Sequence, residues 1–331
     1  MSALEHLFCV APMMDATDRH CRYFLRQLSR HALLYTEMIT TGAILHGDRE
    51  SLLGFDAAEH PLALQVGGSV PADMARTAQI AQEAGYLEVN INVGCPSDRV
   101  KNGHFGACLM ADPVLVARCV SEMRARVSIP ITVKTRIGID DQDSYEDLLH
   151  FIDTVHAGGC TTFIVHARKA WLSGLSPKQN REIPPLHYDR VHRLKRDRPE
   201  LRIIINGGLT TIEQCRQQLV HVDGVMLGRE VYRNPYLLAD VDHQLFNAVQ
   251  DAPTRAQCVA LMTAYVQDQL ARGSRLHAIT RHMLGLFQHQ PGARAWRRYL
   301  SEHVHRAGAS EQTLLDALTH MQLPQDSRAV A

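Results

Sequence analysis

Short apolar runs alternate with amphipathic segments along most of the chain. In Glu88–Val93, polar and apolar residues alternate one by one, which is the pattern of a half-buried β-strand. Similar runs predict strands at Phe8–Met13, Leu33–Ile39, Leu62–Gly67, Tyr86–Val93, Ile131–Ile137, Thr162–Ala167, Arg202–Asn206 and Gly224–Leu227.

Helix signals lie between these runs. Pro71–Glu83 has proline in its first turn and ends before Gly85, which is the usual asymmetry of helix ends. Thr210 and Glu213 have the spacing of a capping box, which predicts a helix over Thr211–Leu219. Further helices are predicted over Asp18–Ser29, Asp112–Val127 and Ser144–His156.

This alternation predicts an α/β fold, namely a (β/α)8 TIM barrel. Eight strands, each followed by a helix, within about 230 residues match the count and size of that fold. A doubly wound open sheet is the alternative. It needs fewer strands for this length and usually carries GxGxxG after its first strand, a motif that is absent here.

The pattern changes at about Phe246, after which no strand is predicted. Helices are predicted over Thr254–Arg272, Ser274–Phe287, Ala293–Ala307 and Glu311–Met321. We therefore predict two domains, a catalytic barrel at residues 1–245 and a small all-α helical bundle at residues 246–331.

Composition narrows the class of protein. Hydrophobic residues make up 45% of the 331, enough for a full core, and the formal net charge is zero, so an anionic partner would have to meet a local basic patch. The 8 cysteines include no CxxC pair, which indicates a reduced, cytoplasmic protein. We predict no signal peptide and no membrane-spanning segment, because no long apolar run is present.

Glycines follow the last two predicted strands, at the end of a barrel where catalytic residues gather. Asn206, Gly207 and Gly208 follow the seventh strand, and Gly228 with Arg229 follows the eighth. This is the usual phosphate site of such barrels, since glycine lets backbone N–H groups approach a phosphate and arginine adds charge-assisted hydrogen bonds. Taken one at a time, the glycines are better explained by tight turns.

Three further strand residues suggest what the phosphate would belong to. Lys134 lies within the fifth strand, where burial of its charge is costly unless an acceptor meets it. Alone, Lys134 could reach water from the strand end, His166 could be a core histidine, and Gln65 means little. Together with the glycines they point to a flat, phosphate-bearing cofactor, and FMN fits. No metal site is predicted, because HExxH and paired Cys/His spacings are absent.

A set of motifs spanning nearly the whole barrel resembles the tRNA-dihydrouridine synthases. In chain order they are APMMDATD (11–18), LQVGG (64–68), NINVGCPSDRVKNGHFGACLM (90–110), VKTRIG (133–138), VHARKAWLSGLSPKQNREIPPL (165–186), INGG (205–208) and LGREVYRNP (227–235). The stretch from His166 to Leu186 is similar to the A subfamily, which acts on uridines 20 and 20a of the tRNA D-loop.

The resemblance implies reduction of the C5–C6 double bond of uridine to dihydrouridine. FMN N5 would give a hydride to C6, Cys95 would give a proton to C5, and NADPH would re-reduce the flavin. The residues implied for tightly bound FMN are Pro12, Met13, Met14, Gln65, Lys134, His166, Asn206, Gly207, Gly208, Gly228 and Arg229. Those implied for tRNA are Asn92, Lys178, Arg181, Arg294 and Arg297.

Cysteine suits the role of proton donor because a free thiol is mostly protonated at neutral pH. Cys95 ends the fourth strand, and we expect the glycine-punctuated loop at residues 97–107 to close over a bound base.

Two rival functions remain: a flavin enzyme acting on a free pyrimidine or other small enone, which the same strand-end residues would serve, and a non-catalytic RNA-binding protein, which would hold no flavin. Seven arginines and a single acid lie between Arg272 and Arg306. That composition alone describes a solvated helix face, and the resemblance is what favours RNA.

Overall fold

The eight predicted strands form a closed parallel barrel in a computed structural model that describes residues 4–97 and 103–321. Each strand pairs with the next in sequence, and the last pairs with the first. The strands are β1 Phe8–Val10, β2 Leu33–Thr40, β3 Leu62–Gly67, β4 Glu88–Val93, β5 Ile131–Arg136, β6 Thr162–His166, β7 Arg202–Asn206 and β8 Gly224–Leu227. The predicted TIM barrel is confirmed, with β1 shorter than predicted.

The polar face of β4 lies differently from the half-buried pattern read from the sequence. All six residues of β4 are buried. Tyr35 on β2 donates a hydrogen bond to Glu88 on β4 at 2.7 Å although β3 lies between the two strands, so the contact crosses the inside of the barrel. The alternating polar residues of β4 therefore face the barrel interior rather than water.

The helices are α1 Arg19–Leu28, α2 Thr41–His46, α3 Arg49–Leu53, α4 Pro71–Glu83, α5 Pro113–Arg124, α6 Tyr145–Ala157, α7 Tyr188–Asp197, α8 Ile212–Leu219, α9 Arg229–Arg233, α10 Val241–Phe246, α11 Arg255–Ala271, α12 Leu276–Thr280, α13 Ala293–His303 and α14 Gln312–Thr319. Short 3₁₀ helices lie at Ala57–Glu59, Gly106–Ala111, Gln179–Arg181 and Pro235–Asp240. In residues 246–321 every regular element is a helix, as predicted.

Two helix predictions were wrong in detail. The N-cap of α8 is Thr211, whose hydroxyl accepts the N–H of Gln214 at 3.2 Å, so the predicted capping box of Thr210 and Glu213 does not form. The Gln214 side chain instead accepts the N–H of Thr210 at 2.8 Å. The helix predicted over Ser274–Phe287 is regular only at Leu276–Thr280.

The chain folds into two compact units, each built from several segments. The first contains residues 4–14, 33–55, 61–97 and 103–227, and therefore all of the barrel strands. The second contains residues 15–32, 56–60 and 228–321, and therefore α1 together with α9 to α14. The predicted division at residue 245 assigns flavin binding to residues 1–245 and tRNA binding to residues 246–331. That division of roles stays a prediction.

No helix among the described residues is long and apolar enough to cross a membrane.

Candidate active site

The backbone around Cys95 is fixed directly after β4 ends. The Asn92 side-chain oxygen accepts the N–H groups of Gly94 and Cys95, each at 3.0 Å. The Cys95 carbonyl accepts the N–H of Ala107 at 2.9 Å. The thiol is partly exposed and lies 3.5 Å from the Ser97 hydroxyl. The loop at 97–107, which we expect to close over a bound base, includes residues 98–102, which lie outside the described residues. Its closure stays a prediction.

Asn92, predicted to contact tRNA, thus shapes the turn that carries Cys95. It is 8% exposed. Its side-chain nitrogen donates to Gln65 Oε1 at 3.0 Å. The role of Asn92 toward tRNA stays a prediction, and its role in the turn was missed because an Asn two residues before a glycine is too common a pattern to single out.

Gln65 belongs to a row of hydrogen bonds along the inside of the barrel. Gln65 Nε2 donates to Asn90 Oδ1 at 2.8 Å, and Asn90 Nδ2 donates to Thr132 Oγ1 at 2.8 Å. The Thr132 hydroxyl then donates to Glu88 Oε1 at 2.7 Å. Counted from Asn92, each side chain donates to the next, so the side-chain amide of Gln65 is held in one orientation.

The row ends on a buried carboxylate. Burial alone would raise the pKa of Glu88, but the His6 imidazole at 2.6 Å and the hydroxyls of Thr132 and Tyr35 outweigh burial and lower that pKa. An ionised carboxylate can only accept hydrogen bonds. This explains why every donor in the row points toward Glu88.

The turn after β7 requires glycine at two positions. Gly207 has φ +118° and Gly208 has φ +73°. A Cβ on Gly208 would lie 2.5 Å from Leu186 Cδ1, and one on Gly207 would lie 3.2 Å from the imidazole Nε2 of His166. Because neither position accommodates a side chain, the backbone of this turn is open to close approach, as the predicted phosphate contact requires.

Burial inside the barrel disfavours the charged form of Lys134. Its Nζ on β5 donates to Asn206 Oδ1 on β7 at 3.0 Å, across the position of β6. Burial, and then the nearby Arg136 guanidinium, lower the pKa of Lys134 to about 7. The only hydrogen-bond acceptor recorded for this ammonium among the described residues is a neutral amide, which leaves it suited to the polar edge of an electron-accepting ring.

His166 carries an unsatisfied buried atom. Its Nδ1 is buried and has no hydrogen-bond partner among the described residues. Burial and the neighbouring Arg136, Lys134 and Arg168 cations hold the pKa of His166 well below its usual value, so the ring is neutral. Buried polar atoms are rarely left unpaired. Gln65, Lys134, His166 and the turn at Gly207 and Gly208 form what we call the cradle. With its unpartnered imidazole atom, the cradle fits a flat, polar-edged group such as a flavin.

The other residues predicted to bind flavin lie after β1 and β8. Pro12 and Met13 are partly exposed, and Met14 is 52% exposed. Gly228 is the N-cap of α9, and Arg229 is the first residue of that helix, with an exposed side chain. Both belong to the second compact unit. Their contacts with flavin stay predictions.

Lys178 and Arg181, predicted to contact tRNA, stand at the two ends of one turn. Lys178 is the N-cap of the 3₁₀ helix Gln179–Arg181, and both side chains are exposed. Residues three apart eclipse one another in a 3₁₀ helix. The two charges therefore share a face, which the sequence alone left open.

Arg294 and Arg297 lie on α13 in the second unit. Arg294 is exposed, and Arg297 is partly buried and donates to Gln288 Oε1 at 3.3 Å. Trp296 between them is fully buried, with its indole N–H donating to the Met283 carbonyl at 3.2 Å, so it belongs to the core of this unit.

The described residues contain no group of three or more His, Cys, Asp or Glu side chains placed to hold a metal ion.

The chain matches the family model described as dihydrouridine synthase (Dus) over residues 9–322. The relatives that carry the name tRNA-dihydrouridine(20/20a) synthase include proteins from three organisms, as follows. The protein from Shewanella oneidensis is 63% identical, covering 92% of this chain and 91% of its own. That from Vibrio cholerae is 60% identical, covering 93% and 94%. That from Escherichia coli K12 is 60% identical, covering 94% and 90%.

Among solved structures, the chain resembles a 2-naphthoyl-CoA reductase complex with TM-score 0.56 at 10% identity, covering 74% of this chain and 51% of that one. At this identity the likeness concerns the fold alone.

Proposed function

Because the chain belongs to the dihydrouridine synthase family, we propose that it reduces uridines 20 and 20a of the tRNA D-loop, with FMN as its flavin and NADPH as its reductant. Family membership makes the chain a flavin-dependent oxidoreductase that reduces uridine in tRNA. The two positions are carried over from the names of its relatives.

The observation that carries the proposal is that Cys95, a partly exposed cysteine, lies at the same end of the barrel as the cradle. Cys95 follows the C-terminal end of β4, and His166 and the Gly207 turn stand at the same ends of β6 and β7. In a parallel barrel these ends meet at one mouth. A proton donor and a site fitting a flavin thus share one opening.

The cradle residues would hold the flavin, which when bound supplies the hydride for C6 of uracil. Lys134 would offer its ammonium to the polar edge of the ring, and the His166 imidazole would gain the partner that its Nδ1 lacks. The amide of Gln65, oriented by Asn90 and Asn92, would present a fixed donor and acceptor pair.

Cys95 has one task, which is to give the thiol proton to C5. The reduction then balances, because C6 gains a hydride, C5 gains a proton, and the thiolate regains its proton from solvent. The N–H groups of Gly94 and Cys95 both donate to the Asn92 side-chain oxygen, which fixes the backbone that carries the sulfur. Lys178 and Arg181, on one face of their turn, would contact the pyrimidine or its phosphate.

The test is the fate of uridines 20 and 20a in unmodified tRNA incubated with the purified protein and NADPH, followed by mass spectrometry. We expect dihydrouridine at both positions. The Cys95→Ala variant should keep its flavin and oxidise NADPH, but lose about 10²- to 10⁴-fold in uridine reduction, which is the range for removing a general acid.

The matched control is Cys108→Ala. This second partly exposed cysteine follows the same loop, and its thiol lies 3.1 Å from the Phe105 carbonyl. The control should reduce uridine like the parent. Equal activity of the Cys95 variant and the parent would remove Cys95 from the mechanism.

A further inference from the structure

Arg136 joins two segments of the barrel mouth that lie far apart in sequence. It is the last residue of β5 and is 4% exposed. Its Nε donates to the Gly94 carbonyl at 2.8 Å. Its Nη1 donates to the carbonyls of Lys169 at 3.1 Å and Asn180 at 3.0 Å.

The first of these segments carries the proton donor. Gly94 directly precedes Cys95, and its N–H is already held by Asn92. The Arg136 guanidinium donates a hydrogen bond to the carbonyl of the same residue, Gly94. The peptide groups next to Cys95 are therefore fixed from two strands, β4 through Asn92 and β5 through Arg136.

The second segment carries the cations predicted to contact tRNA. Asn180 lies between Lys178 and Arg181 and is fully buried. Its side chain organises the segment, because Oδ1 accepts the Trp171 N–H at 2.8 Å and Nδ2 donates to the Trp171 carbonyl at 2.9 Å. A displacement of the Asn180 backbone would therefore displace the whole turn that carries Lys178 and Arg181.

We propose that Arg136 is a positioning residue, which sets the distance between the Cys95 turn and the Lys178–Arg181 turn and so aligns the thiol with the captured base. This inference rests on the proposed function, since it assigns the thiol to C5 and the cations to the tRNA. Misplacing a reacting group by about 1 Å can cost about 10²-fold in rate.

Arginine suits this task for a geometric reason. The guanidinium is a planar fork whose nitrogens donate in different, fixed directions, whereas lysine offers one compact ammonium. Arg136 uses Nε toward one segment and Nη1 toward the other. Burial, and then the nearby cations, lower the pKa of Arg136 to about 10, so it remains charged at neutral pH and its hydrogen bonds are charge-assisted.

The test compares Arg136→Lys with the parent holoenzyme in single-turnover reduction of tRNA at saturating concentration. We expect the flavin content to stay within about twofold of the parent, the tRNA dissociation constant to change less than the rate, and the rate to fall about 10- to 100-fold. In a Cys95→Ala background, the same substitution should cost less than in the parent, because the donor that Arg136 aligns is then missing.

The matched control is Arg26→Lys. Arg26 is 7% exposed and donates to three carbonyls, those of Glu59, Ser29 and Ala32. It is thus a second buried arginine that bridges backbone groups, but it lies in the other compact unit. We expect this control to unfold at lower temperature than the parent and to keep the parent's rate where it is folded.

The outcomes separate the two proposals. A parent enzyme that forms no dihydrouridine overturns the proposed function. A parent that forms dihydrouridine beside an equally fast Arg136→Lys enzyme, or an equal loss with and without Cys95, overturns only the role of Arg136. If Arg136→Lys does not fold with flavin, Arg136→Gln, which keeps a donor toward one segment, is measured by the same criteria.

Discussion

The chemistry of the site depends on single residues whose charged form is disfavoured by their surroundings, and Lys134 is the clearest case. Its pKa falls to about 7 because burial and Arg136 disfavour the charged form, while a neutral amide is its acceptor. Unfolding restores the usual pKa near 10.4. Between about pH 7 and 10 the unfolded chain thus binds the extra proton, and this residue makes the flavin-free protein more stable as pH rises.

Flavin binding should have the opposite pH dependence. If the bound ring requires the charged ammonium, the affinity of the flavin-free protein for FMN should fall as pH rises above about 7, by at most about tenfold per pH unit. Fluorescence titration with FMN between pH 6 and 9 measures this. Lys134→Met should bind FMN more weakly and with a flatter pH profile.

Lys195→Met serves as the control for this titration. Lys195 pairs with Asp223 at 2.8 Å and has no role in the cradle, so its variant should follow the parent profile. A parent affinity that is constant across this pH range would remove the charge of Lys134 from flavin binding.

At the scale of single residues, the sequence identifies unusual residue types at the ends of predicted strands. It does not identify the contacts that those residues make. Cys95, Lys134 and the glycines Gly207 and Gly208 stand out because their residue types are unusual where they occur. Arg136 does not stand out, because its role depends on a hydrogen bond to the Asn180 carbonyl, 44 residues away along the chain. Only the closing of the barrel brings that carbonyl into reach.

The elements follow from periodicity wherever neighbouring contacts agree with it. All eight strands were predicted, since short apolar runs recur between the helix signals along the chain. In β4, periodicity predicted the two faces but not their surroundings, since the part of the barrel interior beside this strand is lined by polar side chains. The helix predicted over Ser274–Phe287 stops at Thr280, and a Cβ on Gly285 would collide with the Arg233 carbonyl, a close approach that no periodic pattern reveals.

The corrected N-cap of α8 gives a test at the scale of one element. Thr211→Ala removes the side chain that accepts the Gln214 N–H and should lower the free energy of unfolding by about 1 kcal/mol. Urea denaturation measures this. Thr210→Ala is the matched control and should change stability less, because among the described residues the Thr210 hydroxyl contacts only the Gln214 side chain, at 3.1 Å, and caps no backbone N–H. A larger loss for the Thr210 variant would restore the capping box predicted from the sequence.

For the molecule as a whole, zero net charge means that binding of tRNA must depend on local cations. Arg294→Ala with Arg297→Ala should weaken tRNA binding and flatten its dependence on salt, by about one unit of slope for each lost phosphate contact. Filter binding across a range of KCl concentrations measures both effects.

Arg272→Ala is the control for this measurement. Arg272 directly follows α11, is exposed, and already pairs at 2.9 Å with Asp268 in the last turn of that helix. Its loss should change the salt slope less. A slope unaffected by the double substitution would place the RNA contacts on other residues.

The row of hydrogen bonds inside the barrel runs in one direction, because each side chain from Asn92 to Thr132 donates to the next. It begins at an anion, Glu88, that can only accept, and it ends at peptide N–H groups beside Cys95 that can only donate. Between these ends, no amide can turn over without breaking contacts on both sides. A neutral amide in place of Glu88 would remove the constraint at that end only, because the peptide N–H groups beside Cys95 would still require the Asn92 side-chain oxygen as their acceptor. Loss of order would then begin at the Glu88 end of β4, and the turn that carries Cys95 would keep its two hydrogen bonds to Asn92.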